Sequence, residues 1–180
     1  MIQAGSAACF LWALWVLILP AKWIVSAVLA ALIHESCHVA AVRLLGGRVH
    51  RIQVGPFGAV IDADGITGLR EAACALAGPF GSLLLVGLIH VYPILGLCSL
   101  VQACFNLLPV YPLDGGRALL RMMECLSPDR AESICRTVET FVLLMLFFIA
   151  IYLLVVSSVG VLPSVLCLIG IGRALLRKKP

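Results

Sequence analysis

Two histidines and a glutamate within one pentad, His34-Glu35-Ser36-Cys37-His38, are the residues best suited to chemistry. Helical side chains four residues apart project from nearly one face, so the imidazoles of His34 and His38 can bind a single zinc ion. Glu35 lies about 100° around the helix from His34, where its carboxylate can take a proton from an attacking water. The pentad therefore predicts a hydrolytic zinc site, with the histidines as metal ligands and Glu35 as the catalytic base.

The pentad lies within an apolar segment of helical length. Ionisable side chains in membrane segments are costly, and they face a cavity or a partner when they occur. A carboxylate between two histidines is an expensive way to hold helices together, because apolar side chains do the same without desolvating charge. A functional site is therefore favoured over a polar cluster that only packs helices.

A catalytic zinc ion normally has three protein ligands and one open position, so a third ligand must come from elsewhere. Asp114 is the favoured candidate because it lies in FNLLPVYPLDGGR, residues 105–117, where two prolines and two glycines predict non-helical backbone. Such backbone at membrane depth is tolerated only inside protein or along a wet cavity. The remaining acidic residues lie in loops or at segment edges and stay open as alternatives: Asp62, Asp64, Glu71, Glu124, Asp129, Glu132 and Glu139.

The composition indicates a membrane protein. The 180 residues are 62% hydrophobic and 12% charged, with a mean hydropathy of +1.11, whereas soluble domains carry roughly 25% charged residues. The net charge of +4 includes no basic run interleaved with aromatics, so we expect no nucleic-acid partner. Most of the eight cysteines lie in apolar stretches without a CxxC pair, and we interpret them as small apolar side chains. Cys37 in particular points away from the histidine face, which favours helix packing over zinc binding.

The chain is expected to be mainly α, with six candidate membrane segments at residues 7–19, 23–45, 71–91, 94–108, 137–156 and 161–176. A full span needs about 20 residues, so we expect the first, fourth and sixth to be tilted or only partly embedded. Between the second and third segments, residues 48–62 alternate around a Gly55–Gly58 turn, which predicts a small β-hairpin. The hairpin is either a substrate-pairing edge or a plain connector.

The basic residues predict the orientation of these segments. With six crossings, twelve of the 13 lysines and arginines fall on one side and Lys22 alone lies opposite. Basic residues concentrate on the cytoplasmic side, so both termini are expected there. We expect residues 1–180 to form a single membrane-embedded domain, with a catalytic core at about 23–121 and no PDZ or CBS domain.

Three motifs that follow one another along the chain resemble those of a known family: HESCH at 34–38, ALAGP at 75–79 and FNLLPVYPLDGGR at 105–117. Together they resemble the site-2 protease family of intramembrane zinc metalloproteases, peptidase family M50, and in particular the branch of the stage IV sporulation protein FB. The resemblance implies one zinc ion held by His34, His38 and Asp114, with Glu35 activating water. It also implies hydrolysis of a peptide bond in or near a transmembrane segment, in a bacterial cell membrane.

The same resemblance implies substrate contacts and partners. Asn106 would lie beside the active site and bind substrate or the oxyanion. Ser82 stands where the family usually has Asn, and its hydroxyl can still donate and accept a hydrogen bond. The implied substrate is a membrane-associated protein in regulated proteolysis, such as a sporulation pro-sigma factor precursor. A membrane-protein inhibitor or regulator and the bilayer itself would be the other partners.

The sequence disfavours three alternatives to this function. A catalytically silent relative that binds membrane partners is disfavoured because the pentad and Asp114 are intact. A peptidase with a glutamate as third ligand would have to use Glu124, Glu132 or Glu139, none of which lies in a segment broken by proline and glycine. A transporter is disfavoured because no second half of the chain repeats the first.

Overall fold

The computed structural model describes residues 2–4, 20–55 and 58–157. Two of the predicted membrane segments, 7–19 and 161–176, lie outside the described residues, as do the basic residues at 173–179. The chain divides into two compact units, Met1–Leu107 and Leu108–Pro180.

The first unit combines three helices with a small sheet. Its helices are α1 (Ala21–Leu44), α2 (Leu69–Val86) and α3 (Pro93–Asn106), and each packs against the other two. The apolar run and the absence of internal breakers explain the length of α1, which begins directly after Pro20. Its buried residues are four apart and form one stripe along the helix: Ala30, His34, His38 and Val42.

The sheet contains the strands β1 (Ile2–Ala4), β2 (Arg48–Gly55) and β3 (Gly58–Asp64), in the order β1-β2-β3. β2 and β3 pair antiparallel, and β1 pairs parallel to β2. A strand of three residues carries no sequence pattern, so the contribution of β1 was not anticipated. The two residues at the tip of the predicted turn, 56 and 57, lie outside the described part of the chain.

The second unit contains the helices α4 (Asp114–Leu126) and α5 (Ala131–Ser157), which pack against each other. The prediction of non-helical backbone over residues 105–117 is wrong at both ends, because α3 continues to Asn106 and α4 begins at Asp114. A glycine inside a helix costs only about 1 kcal/mol relative to alanine, so the two glycines do not prevent α4 from forming. Gly116 serves close packing instead, since a Cβ there would lie 2.6 Å from the backbone nitrogen of Tyr111.

Three helices within the described residues are long and apolar enough to cross a membrane: Ala21–Leu44, Leu69–Val86 and Ala131–Tyr152. They correspond to the second, third and fifth predicted segments, although the last begins six residues before the expected start at 137. The fourth predicted segment is the shorter apolar helix Pro93–Asn106. The described chain is thus mainly helical and bears the apolar segments that its composition requires.

Candidate metal centre

Residues spaced by four on α1 and α2 face each other within the first unit. His34 and His38 lie on α1, and Cys74, Gly78 and Ser82 lie on α2. His38 contacts Cys74 and His34 contacts Ser82, so the two stripes run antiparallel with Gly78 between the imidazoles. All five residues are buried. The helical periodicity of α1 and α2 therefore produces one buried contact surface that contains two histidines.

Each imidazole is held through its Nδ1 atom. The Nδ1 of His38 donates a hydrogen bond of 2.8 Å to the backbone carbonyl of Cys74. The Nδ1 of His34 lies 2.8 Å from the hydroxyl oxygen of Ser82. Because a carbonyl can only accept, neutral His38 carries its proton on Nδ1 and presents the lone pair of Nε2. Bonds of this kind fix the orientation of histidines in metal sites.

The two Nε2 atoms converge on one point. They lie 3.3 Å apart, and the two rings stand at 81° with centroids 4.9 Å apart. Two nitrogen ligands on a tetrahedral zinc ion, each at about 2.0–2.1 Å, lie about 3.3–3.4 Å from each other. The histidine pair therefore has the spacing that a zinc ion requires.

Gly78 provides the space in which the imidazoles meet. A Cβ at this position would collide with Nε2 of His38 and lie 2.8 Å from Nε2 of His34. Any larger residue would push the nitrogens away from their common point. In the sequence Gly78 stands out only as part of the ALAGP motif, although the spacing of four among Cys74, Gly78 and Ser82 is a signal for the facing stripe.

The carboxylate that joins this pair is Asp114, which is 8% exposed and is the first residue of α4. His34, His38 and Asp114 each offer one ligand atom, and these atoms all lie within 4.8 Å of one another. Among the residues whose side chains the structure describes, this is the one group of three or more that could hold a metal ion. Two imidazoles and one carboxylate form a donor set that suits catalytic zinc.

The other predicted residues lie on the helices of the first unit. Glu35 is half-buried and follows His34 on α1. Asn106 is the last residue of α3, and its side-chain amide donates to the carbonyl of Gln102 at 3.2 Å. Cys37 packs against α2 at Gly81, where a Cβ would collide with its Sγ. This contact confirms the predicted packing role of Cys37.

The chain is similar in sequence to a peptidase family and to two curated proteins. Residues 63–147 match the model of peptidase family M50, a segment that includes Asp114 and follows the histidine pentad. A zinc metalloprotease of Methanocaldococcus jannaschii is 31% identical over 109 residues, which cover 53% of this chain and 32% of the relative. Stage IV sporulation protein FB of Bacillus subtilis is 32% identical over 132 residues, which cover 64% of this chain and 46% of the relative. The chain therefore spans less than half of the length of these curated relatives.

The fold has a counterpart among solved structures. The site-2 protease from Methanocaldococcus jannaschii superposes with a TM-score of 0.68 over 99% of this chain and 92% of that chain, at 21% identity. The chain therefore has the site-2 protease fold, and its described residues include three helices long and apolar enough to cross a membrane. The resemblance to peptidase family M50 that the three sequence motifs carry is confirmed by the match of residues 63–147 to the family model and by the named relatives.

Proposed function

We propose that the chain is an intramembrane zinc endopeptidase that hydrolyses a peptide bond in or near a transmembrane segment of a membrane-associated protein. The observation that carries this proposal is the convergence of the two Nε2 atoms at 3.3 Å, with the buried Asp114 in the same group of side chains. Two further observations support it, the match to peptidase family M50 and the helices of membrane-spanning length.

In this proposal His34, His38 and Asp114 hold one zinc ion per chain. A zinc ion held there would lower the pKa of a water molecule and polarise the carbonyl of the scissile bond. Glu35 accepts the proton from the attacking water and returns it to the leaving amine. Asn106 binds the substrate or its developing oxyanion, and a direct contact of Ser82 with substrate stays a prediction. The catalytic domain is taken to be the whole chain, with its core at residues 23–121.

We further propose the substrate class. The matching Bacillus subtilis relative bears the name of a sporulation protein, and the sequence motifs resemble the same branch. A sporulation pro-sigma factor precursor tethered to the membrane is therefore the proposed substrate, with a membrane-protein inhibitor or regulator as a second partner. The protein would lie in a bacterial cell membrane with both termini cytoplasmic, as the distribution of basic residues favours.

The test of this function separates metal binding from catalysis. Purified wild-type protein and the variant Glu35→Gln are assayed for zinc content and for cleavage of a membrane-tethered precursor in liposomes. We expect about one zinc per chain in both proteins, and a loss of cleavage of roughly 10²–10⁴-fold in the variant, because the proton acceptor is gone. Cleavage by Glu35→Gln at the wild-type rate would refute the mechanism, and zinc binding without cleavage by the wild type would favour a silent relative.

A further inference from the structure

Ser82 contacts a histidine of the candidate metal centre. Its exposed fraction is 0%, and its hydroxyl oxygen lies 2.8 Å from Nδ1 of His34. A fully buried hydroxyl already engaged by an imidazole does not present itself to a ligand that enters from outside. The position that resembles a family asparagine therefore faces a side chain of the site itself.

The protonation of an imidazole decides whether it can bind metal. Neutral histidine carries one N–H, and only the other nitrogen has the lone pair that a metal ion needs. The carbonyl of Cys74 fixes this choice for His38 because it accepts only. The hydroxyl of Ser82 can likewise accept from Nδ1–H of His34, and the tautomer that makes this bond carries its lone pair on Nε2, 3.3 Å from Nε2 of His38. Without that hydroxyl, Nδ1–H of His34 would lose its buried acceptor, and both ring rotation and the other tautomer would compete with metal binding.

We propose that Ser82 is a positioning residue that orients the ring of His34 and accepts the hydrogen bond of its Nδ1–H when Nε2 binds metal. This inference rests on the zinc site proposed above. The two histidines differ in what orients them. His38 is oriented by a backbone carbonyl, which no side-chain substitution removes, and His34 is oriented by a side chain. The zinc affinity of the site should therefore depend on the side chain at residue 82.

The structure offers a matched control. Ser99 on α3 is also 0% exposed, and its hydroxyl has no hydrogen-bond partner within the described residues. Ser82→Ala and Ser99→Ala thus remove the same atoms from equally buried positions, and only the first removes a contact with a histidine. A difference between the two variants reports on that contact and not on the loss of a buried hydroxyl in general.

The experiment uses full-length protein stripped of metal by a chelator and titrated with Zn²⁺ against a chromophoric competitor, then with Co²⁺ for its visible absorption bands. We expect Ser82→Ala to bind Zn²⁺ about 10–100-fold more weakly and to change the Co²⁺ bands, because an outer partner of a ligating histidine is lost. Ser99→Ala should match the wild type in both. At saturating zinc, the KM of Ser82→Ala should equal that of the wild type.

Wild-type zinc affinity in Ser82→Ala, with a raised KM, would overturn the inference and assign Ser82 to the substrate. If Ser82→Ala does not fold, the isosteric pair Ser82→Thr and Ser82→Val carries the comparison. Threonine keeps the hydroxyl, so it should bind zinc at least about tenfold more tightly than valine, and equal affinities would overturn the inference. Failure of the wild type itself to bind zinc would instead remove the proposed function.

Discussion

The two segments that carry the proposed zinc ligands are built in opposite ways. The histidine pentad lies in the middle of the 24-residue helix α1, where a spacing of four fixes which side chains share a face. Asp114 is the first residue of the 13-residue helix α4 and follows residues 107–113, which are not helical. Helical periodicity places the two histidines on one face, whereas the position of Asp114 depends on where α4 begins. The two should therefore respond differently to substitution.

The largest effect is expected from the ligands themselves. His38→Ala should weaken zinc affinity by more than roughly 100-fold, the upper end of the cost of losing an outer-shell partner, because it removes a direct donor. Asp114→Asn should weaken zinc affinity and turnover less, since the amide retains an oxygen. Both are measured by competitive zinc titration, with Glu124→Gln on α4 as control. Loss of zinc in Glu124→Gln, with normal affinity in Asp114→Asn, would move the third ligand to another acid.

The next-largest effects are expected at Gly78 and Gly116, where an added Cβ would lie very close to another group. A Cβ at Gly78 would meet two imidazole rings, and a Cβ at Gly116 would meet the backbone at Val110 and Tyr111. Rings can turn and backbone cannot, so Gly78→Ala should mainly lower zinc affinity. Gly116→Ala should lower stability by about 1–3 kcal/mol through overpacking. Zinc titration and thermal unfolding of the metal-free proteins separate the two effects, and the reverse pattern would contradict the comparison.

A smaller effect concerns the packing of α1 on α2 beside the histidines. Gly81→Ala should cost about 1–3 kcal/mol because the new methyl group collides with Sγ of Cys37. Cys37→Ala removes that sulfur and should restore part of the stability in the double variant. The stability of the two single variants and the double variant is measured by thermal unfolding. A double variant no more stable than Gly81→Ala, or loss of zinc in Cys37→Ala alone, would show that Cys37 does more than pack.

The smallest effect is expected outside both segments. Nε2 of His50 on β2 lies 2.9 Å from a carboxylate oxygen of Asp64 on β3, and the two side chains are 54% and 78% exposed. Exposed pairs contribute little, so Asp64→Asn should change stability by less than about 0.5 kcal/mol and leave zinc affinity unchanged. A clear drop in the zinc affinity of Asp64→Asn would indicate that the sheet contributes to the metal site.

The contrast between the two segments also explains what the sequence could reveal. The bounds of α1 and the shared face of His34 and His38 follow from an apolar run and a spacing of four, which are local properties. The start of α4 at Asp114 could not be found in this way, because Gly115 and Gly116 suggest a loop and their use for close packing depends on a distant backbone. The partners of the histidines on α2 were also missed, since contacts between helices leave no local pattern beyond the spacing of Cys74, Gly78 and Ser82.

X-ray absorption at the zinc edge tests the central claim most directly, because it reports the donor atoms around the metal in the purified full-length protein. The account predicts two imidazole nitrogens and carboxylate or water oxygens at about 2.0–2.2 Å, and no sulfur. His38→Ala should reduce the imidazole contribution to one ring. A sulfur shell at about 2.3 Å, or a single imidazole in the wild type, would contradict the account.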